Sequence, residues 1–221
     1  MRNGIVQSDR PVTLVGAGDL RRARLREALR LAPVLVAADG GANVAAAMGL
    51  VPDAVIGDLD SIRADVRAAL PPGRIVAVAE QDTTDFEKCL TRTEAPFRIA
   101  VGFTGARADH TLAVCNALVR HPGRVCLLLS ETDVTFLAPP RIALPLPPGT
   151  RVSLFPMGAV QAVSAGLRWP VAGIGFAPDG PVGTSNEATG PVTLETSAAR
   201  MLVILPRRWL RVAIAALAAG R

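Results

Sequence analysis

The sequence predicts an α/β fold: a doubly wound, mostly parallel sheet at the N-terminal side, followed by an all-β sandwich. Three observations predict it. Short β-branched runs alternate with helical patterns as far as about residue 130, Pro and Gly break the remainder into short apolar runs, and Gly-bearing or acidic loops recur directly after the early runs.

Taken in order, "VTLVGAG" leads into "LRRARLREALR", "VLVAAD" into "ANVAAAMG", "DAVIGD" into "IRADVRAAL", "RIVAVA" into "DFEKCLTRT", and "RIAVGFTG" into "HTLAVCNALV", with "RVCLLLS" closing the series. Loops that follow parallel strands open on one edge of a sheet, where ligands bind. From there the pattern changes to "RIALPLPPG", "RVSLFPMG", "GLRWPV", "PVTLET" and "MLVILP". The expected division is therefore 1–131 and 132–221, the second part ending in a short helical tail, "RRWLRVAIAALAAGR". Core or dimer packing suits that tail better than membrane attachment.

With 221 residues, 50% of them hydrophobic, the chain can bury its core without disulfide or metal staples. Cys89, Cys115 and Cys126 are odd in number and lack CxxC spacing, which points to a reducing, cytoplasmic setting. The opening "MRNGIVQSDRP" has no signal-peptide core, and no run approaches the roughly 20 apolar residues of a membrane span, so no membrane partner is expected. The net charge of +5 raises nucleic acid as a partner, but the arginines are scattered, tyrosine is absent and aromatics are 4%, which argues against it. Eleven of the twelve aspartates precede residue 134, and Lys88 is the only lysine in a chain otherwise cationic through arginine.

The acids cluster in the loops. "VIGDLDS" puts Asp58 and Asp60 one residue apart after an apolar strand. Two unit charges about 4 Å apart repel by roughly 4 kcal/mol at an effective dielectric of about 20. A cation should offset this, or the loop is solvated and points outward. "QDTTDFEKCL" follows the next strand with Asp82, placed as a helix cap, and with Asp85 and Lys88 on one helical face. Four carboxylates on one sheet edge, without a Cys or His cluster, suit Mg²⁺ carrying a nucleotide's phosphates. In "AADGGAN", Asp39, Gly40, Gly41 and Asn43 fit either a ligand pocket or a capped turn. "VGAGD" fits a phosphate-binding turn or a plain tight turn. "GFTGARADH" offers Gly105, Arg107 as an anion fork, and Asp109 and His110 at a helix start. Farther on, Trp169 in "GLRWP" could stack on a heterocycle and Ser185 and Asn186 in "GTSNE" could bond its edge, although a core tryptophan and a turn fit equally.

Together these motifs, in this order over nearly the whole chain, resemble the thiamine pyrophosphokinase family. The resemblance implies transfer of the pyrophosphoryl group of ATP to the hydroxyethyl group of thiamine with Mg²⁺. It implies that Asp58, Asp60, Asp82 and Asp85 surround metal and phosphates, that Lys88 and Arg107 contact phosphate, and that Asp39, Gly40, Gly41 and Asn43 line the nucleotide pocket. Gly105, Asp109 and His110 would complete the crevice. It further implies a homodimer whose site lies between subunits, with Trp169, Ser185 and Asn186 meeting thiamine from the partner chain. Two departures stand out: Leu59 replaces the usual aromatic between the paired aspartates, and the common Gly-Gly before the arginine is Gly105-Ala106. Two other readings share the loops, namely a kinase or pyrophosphokinase for another heterocyclic alcohol, and a nucleotide-binding protein without catalysis.

Overall fold

A computed structural model describes residues 6–105 and 107–220, so the first five residues of the N-terminal segment, Ala106 and Arg221 at the end of the tail lie outside the described residues. The chain mixes helices with a large sheet. It separates into two compact units: one runs to Ala117 and includes Leu128–Ser130, and the other takes Leu118–Leu127 and everything from Glu131.

In the first unit, β1 (Val6–Gln7), β2 (Val12–Val15), α1 (Arg22–Leu31), β3 (Val34–Ala38), α2 (Gly41–Ala47), β4 (Ala54–Gly57), α3 (Ala64–Ala69), β5 (Ile75–Ala77), α4 (Asp85–Thr91), β6 (Thr93–Glu94), β7 (Arg98–Val101) and the start of α5 (Ala108–Arg120) follow in turn. The order β7-β2-β3-β4-β5 is parallel throughout. Residues of β2, β3, β4 and β7 are buried without alternation, as strands covered on both faces must be. Leu14 stands in register between Val36 and Ala100 at the centre of this core. From β2 the chain steps outward through β3, β4 and β5, then returns to the other side of β2 as β7. The strand order therefore reverses between β2 and β7, which is where sheets of this kind open a crevice beyond their carboxyl ends. Cys89 is buried in α4, and burial pushes its thiol well above the usual range, so it packs rather than reacts.

The next strand, β8 (Cys126–Leu129), is divided between the two units. The second unit holds β9 (Asp133–Leu137), β10 (Arg141–Leu144), β11 (Arg151–Pro156), β12 (Val160–Leu167), β13 (Gly175–Phe176), β14 (Gly183–Thr196), β15 (Met201–Pro206) and α6 (Leu210–Ala219). Its pairings are antiparallel. The 14-residue β14 pairs with β11 near its start, and farther along with both β10 and β12, which share residues 193–195. Gly166 makes the β12 bulge possible: its φ is +76° and a Cβ there would stand 2.1 Å from the Pro191 carbonyl oxygen. The helical tail is α6, whose Leu210, Ala213 and Leu217 form a buried stripe, with β10 beside the helix. Among the described residues no helix is long and apolar enough to cross a membrane.

Candidate active site

At the reversal point the first unit opens a cleft of about 570 Å³, within the range of small-molecule sites. Its walls come from the loops after β2, β3, β4, β5 and β7. Gly16 and Gly18 cross Gly102 so closely that a Cβ on Gly16 would lie 2.5 Å from the Gly102 oxygen. Their own N–H groups donate to Val101 and Gly102 at 2.9 and 2.8 Å, so these two amides serve the chain crossing. Gly41 likewise packs backbone on backbone, since a Cβ there would meet the Val15 oxygen at 2.1 Å, whereas Gly40 faces the cleft. Phe86 and Phe103, edge to face at 5.0 Å, supply an apolar wall that the sequence motifs did not single out.

The loop after β4 carries the paired aspartates. Ligand oxygens of Asp39, Asp58 and Asp60 lie within 4.8 Å of one another. Asp39 is 1% exposed; its Oδ2 accepts from the Ser61 N–H at 3.1 Å, and its Oδ1 has no hydrogen-bond partner among the described residues. Burial pushes the Asp39 carboxyl up to about 6, with Asp85 and Asp60 adding to the rise against the opposing pull of the Ser61 amide. Two facing carboxylates have no donor between them, so a proton or a cation must fill that role. An all-oxygen set with a buried, unpartnered oxygen fits a hard divalent ion such as Mg²⁺. Both Asp39 and Leu59 hold left-handed backbone, at φ 38° and 69°.

Lys88 connects this cluster to α4. Its ammonium, 2% exposed, stands 3.4 Å from Asp58 Oδ2 and 3.4 Å from Asp85 Oδ1. Burial disfavours the Lys88 charge, but Asp85 and Asp58 outweigh it and hold its pKa above the ordinary lysine value. Burial raises the Asp85 carboxyl, against Lys88. Gln81 donates to Asp58 Oδ2 at 2.9 Å and is the first cause of a lowered Asp58 pKa. The helix begins at Asp85, too late for Asp82 to cap it. Thr84 is the N-cap, accepting from the Glu87 N–H, while Glu80 accepts from the Asp82 and Thr83 amides. Asp82 is exposed, absent from the cleft lining that its neighbours Gln81 and Thr83 join, and outside the Asp39, Asp58 and Asp60 group. Gln81, Glu80 and Thr84 were visible only as neighbours of the acids. Their roles depend on where the helix starts.

Arg107 and His110 line the opposite wall, beside exposed Gly105. The Arg107 guanidinium grips Asp109 with both ends of its fork, at 3.1 and 2.5 Å, and this holds the Asp109 carboxyl down to about 2.

Trp169, Ser185 and Asn186 belong to the second unit. The Trp169 ring is 53% exposed, with the Arg168 guanidinium 5.0 Å from its centre. Asn186 is buried and spends its amide on backbone: Oδ1 accepts from Trp169 and Glu187, and Nδ2 donates to the Trp169 carbonyl. Ser185 takes a left-handed φ of 60° and its N–H donates to Ser153.

A family model described as the thiamin pyrophosphokinase catalytic domain matches residues 25–127. Thiamine pyrophosphokinase 1 of Oryza sativa subsp. japonica is 30% identical over 199 residues, spanning 75% of this chain and 72% of that protein. Thiamine pyrophosphokinase 1 of Arabidopsis thaliana is 32% identical over 155 residues, 61% of this chain and 58% of its own length. Among solved structures, a thiamin pyrophosphokinase from Candida albicans shares the fold at TM-score 0.76 and 16% identity, over 93% of this chain and 94% of that one. One from Geobacillus thermodenitrificans does so at TM-score 0.73 and 22% identity, over 89% and 97%.

Proposed function

The chain belongs to the thiamine pyrophosphokinase family, and on that premise we propose that it transfers the pyrophosphoryl group of ATP to the hydroxyethyl oxygen of thiamine, yielding thiamine diphosphate and AMP. The observation that carries this reading is the sole lysine, buried at the cleft between Asp58 and Asp85 with both contacts at 3.4 Å. A cation held that loosely between two carboxylates can also take a phosphate oxygen. A charge kept at every working pH suits a reaction in which negative charge must be offset.

Asp58 and Asp60, with Asp39 joining them and together with Asp82 and Asp85, would hold Mg²⁺, which when bound neutralises and orients the triphosphate. Lys88 contacts phosphate from the cleft floor, and Arg107 turns from Asp109 to grip phosphate bidentately. Gly40, Gly105, Asp109 and His110 bound the nucleotide. The thiamine hydroxyl attacks the β-phosphorus, the bond from that phosphorus to the oxygen bridging the α-phosphate breaks, and AMP departs in line. Asp82, exposed in the loop between β5 and α4, takes the hydroxyl proton.

The finer organisation is part of the same proposal: a nucleotide-binding domain over 1–131 with a doubly wound sheet, and a β-sandwich over 132–221 that binds thiamine and dimerises. Trp169, Ser185 and Asn186 would then form the partner chain's contribution to a site at the subunit interface. Three free cysteines support a cytoplasmic setting. AMP release measured with thiamine, pyridoxine and a pterin alcohol tests the reading: thiamine alone should support it, and preference for another alcohol would reassign the substrate.

A further inference from the structure

We infer that Asn43 is a positioning residue that clamps the loop carrying Asp58 and Asp60, and is not a ligand of the nucleotide. The inference rests on reading the cleft as a metal-dependent phosphoryl-transfer site. Asn43 lies in the first turn of α2, one strand over from that loop. Its Oδ1 accepts from the Arg63 N–H at 2.9 Å, and its Nδ2 donates to the Ser61 carbonyl at 2.8 Å. The two backbone partners dictate which end of the amide is oxygen, because a carbonyl can only accept and an N–H can only donate. Both ends of the side chain are thus committed to backbone. It is also absent from the lining of the cleft, which Gly40 and Ser61 do line.

The clamp acts on a strained segment. Leu59, between the two aspartates, holds φ at 69°, a conformation that a branched side chain keeps only where its surroundings enforce it. The enforcement is visible at Ser61, which is held through both of its flanking peptides: its N–H donates to Asp39 Oδ2 and its C=O accepts from Asn43. Asn43 then takes the Arg63 amide as well, pinning the chain where it enters α3. Remove that side chain and the 58–60 turn can relax, spreading the three carboxylates that now lie within 4.8 Å. Outer partners that orient metal ligands typically matter by 10–100-fold in metal affinity.

The test compares wild type, Asn43→Ala and Asn43→Asp, the last of which keeps the acceptor for Arg63 and loses the donor to Ser61. Two readouts are taken. In metal-free protein, hydrogen exchange of the amides from Asp58 to Arg63 should speed up in Asn43→Ala, most at Arg63, while the amides of β2 and β3 stay protected. In turnover, the Mg²⁺ concentration for half-maximal rate should rise about 10–100-fold, with Asn43→Asp intermediate, and the ATP KM at saturating Mg²⁺ should stay within about twofold, as a group that acts only through the metal ligands requires. A raised ATP KM with an unmoved Mg²⁺ midpoint would make Asn43 a nucleotide contact and overturn the inference, as would unchanged exchange at Ser61 and Arg63. Uniformly faster exchange throughout the first unit would also overturn it, by showing a general packing role. An inactive wild type would instead refute the function, and the exchange readout would still decide the clamp.

Discussion

Gly57, the last residue of β4, lies directly against Asp39 at the end of β3: a Cβ built on Gly57 would stand 2.8 Å from the Asp39 Cβ and 3.4 Å from its Cα. That contact lets a buried carboxylate with left-handed backbone nest beside the loop bearing Asp58 and Asp60. Gly57→Ala must push either Asp39 or the strand end aside. The expected outcome is a loss of about 1–3 kcal/mol in urea unfolding, the usual range for overpacking, together with a higher Mg²⁺ concentration for half-maximal rate. Stability within about 0.5 kcal/mol of wild type would show that the strand end yields freely.

Asp39 also makes stability depend on pH. Its carboxyl rises from 3.8 to about 6 in the folded protein, chiefly through burial. Between those values the folded state binds the proton more tightly than the unfolded chain does, so the contribution is complete below about pH 4 and is lost as pH rises to about 6. Asp60, Asp85 and the Ser61 amide act on the same group. Asp39→Asn, neutral at every pH, should flatten this part of the profile in metal-free protein. Parallel urea-unfolding profiles for variant and wild type would contradict it.

The Arg107 and Asp109 pair is exposed, and Asp109 stays ionised down to about pH 2, so the pair competes with phosphate across the working range. Asp109→Asn should lower the ATP KM a few-fold by releasing the guanidinium. Arg107→Lys should raise it about tenfold or more, because an ammonium cannot grip two oxygens at once. Steady-state kinetics at fixed ionic strength reads both, and an unchanged KM in Arg107→Lys removes the fork from the site.

In the second unit, Asn186 holds both the N–H and the C=O of Trp169, while the ring itself is half exposed. Asn186→Ala should loosen the ring, seen as a change in tryptophan emission, and raise the thiamine KM several-fold while leaving the ATP KM near wild type. Equal rises in both would indicate general damage.

Much of the first unit was legible because strands buried on both faces show as unbroken β-branched runs between helical patterns. The two-residue β1 and β6 carry no such pattern, and β9 and β13 were likewise too brief or too ordinary to stand out. In the site, the acidic loops were visible, but the set of carboxylates that meet was not. Strand order decides it: β3 and β4 are neighbours, so Asp39 reaches Asp58 and Asp60, while Asp82 lies five residues past the end of β5. The start of α4 moved for a similarly local reason, since Thr84 outcompeted Asp82 as cap. Asn43 and Asn186 read as ligand groups in one dimension, yet an amide's partners are whichever backbone groups the fold brings alongside, and here both side chains are taken up by the chain itself.

The most direct measurement is product analysis by phosphorus NMR of the protein incubated with ATP, thiamine and Mg²⁺, for wild type and Lys88→Met. Wild type should form AMP and thiamine diphosphate in equal amounts, and the variant should lose at least about 100-fold in turnover while retaining the wild-type circular dichroism spectrum. ADP with thiamine monophosphate as products, or undiminished turnover in Lys88→Met, would contradict a pyrophosphoryl transfer centred on the buried lysine.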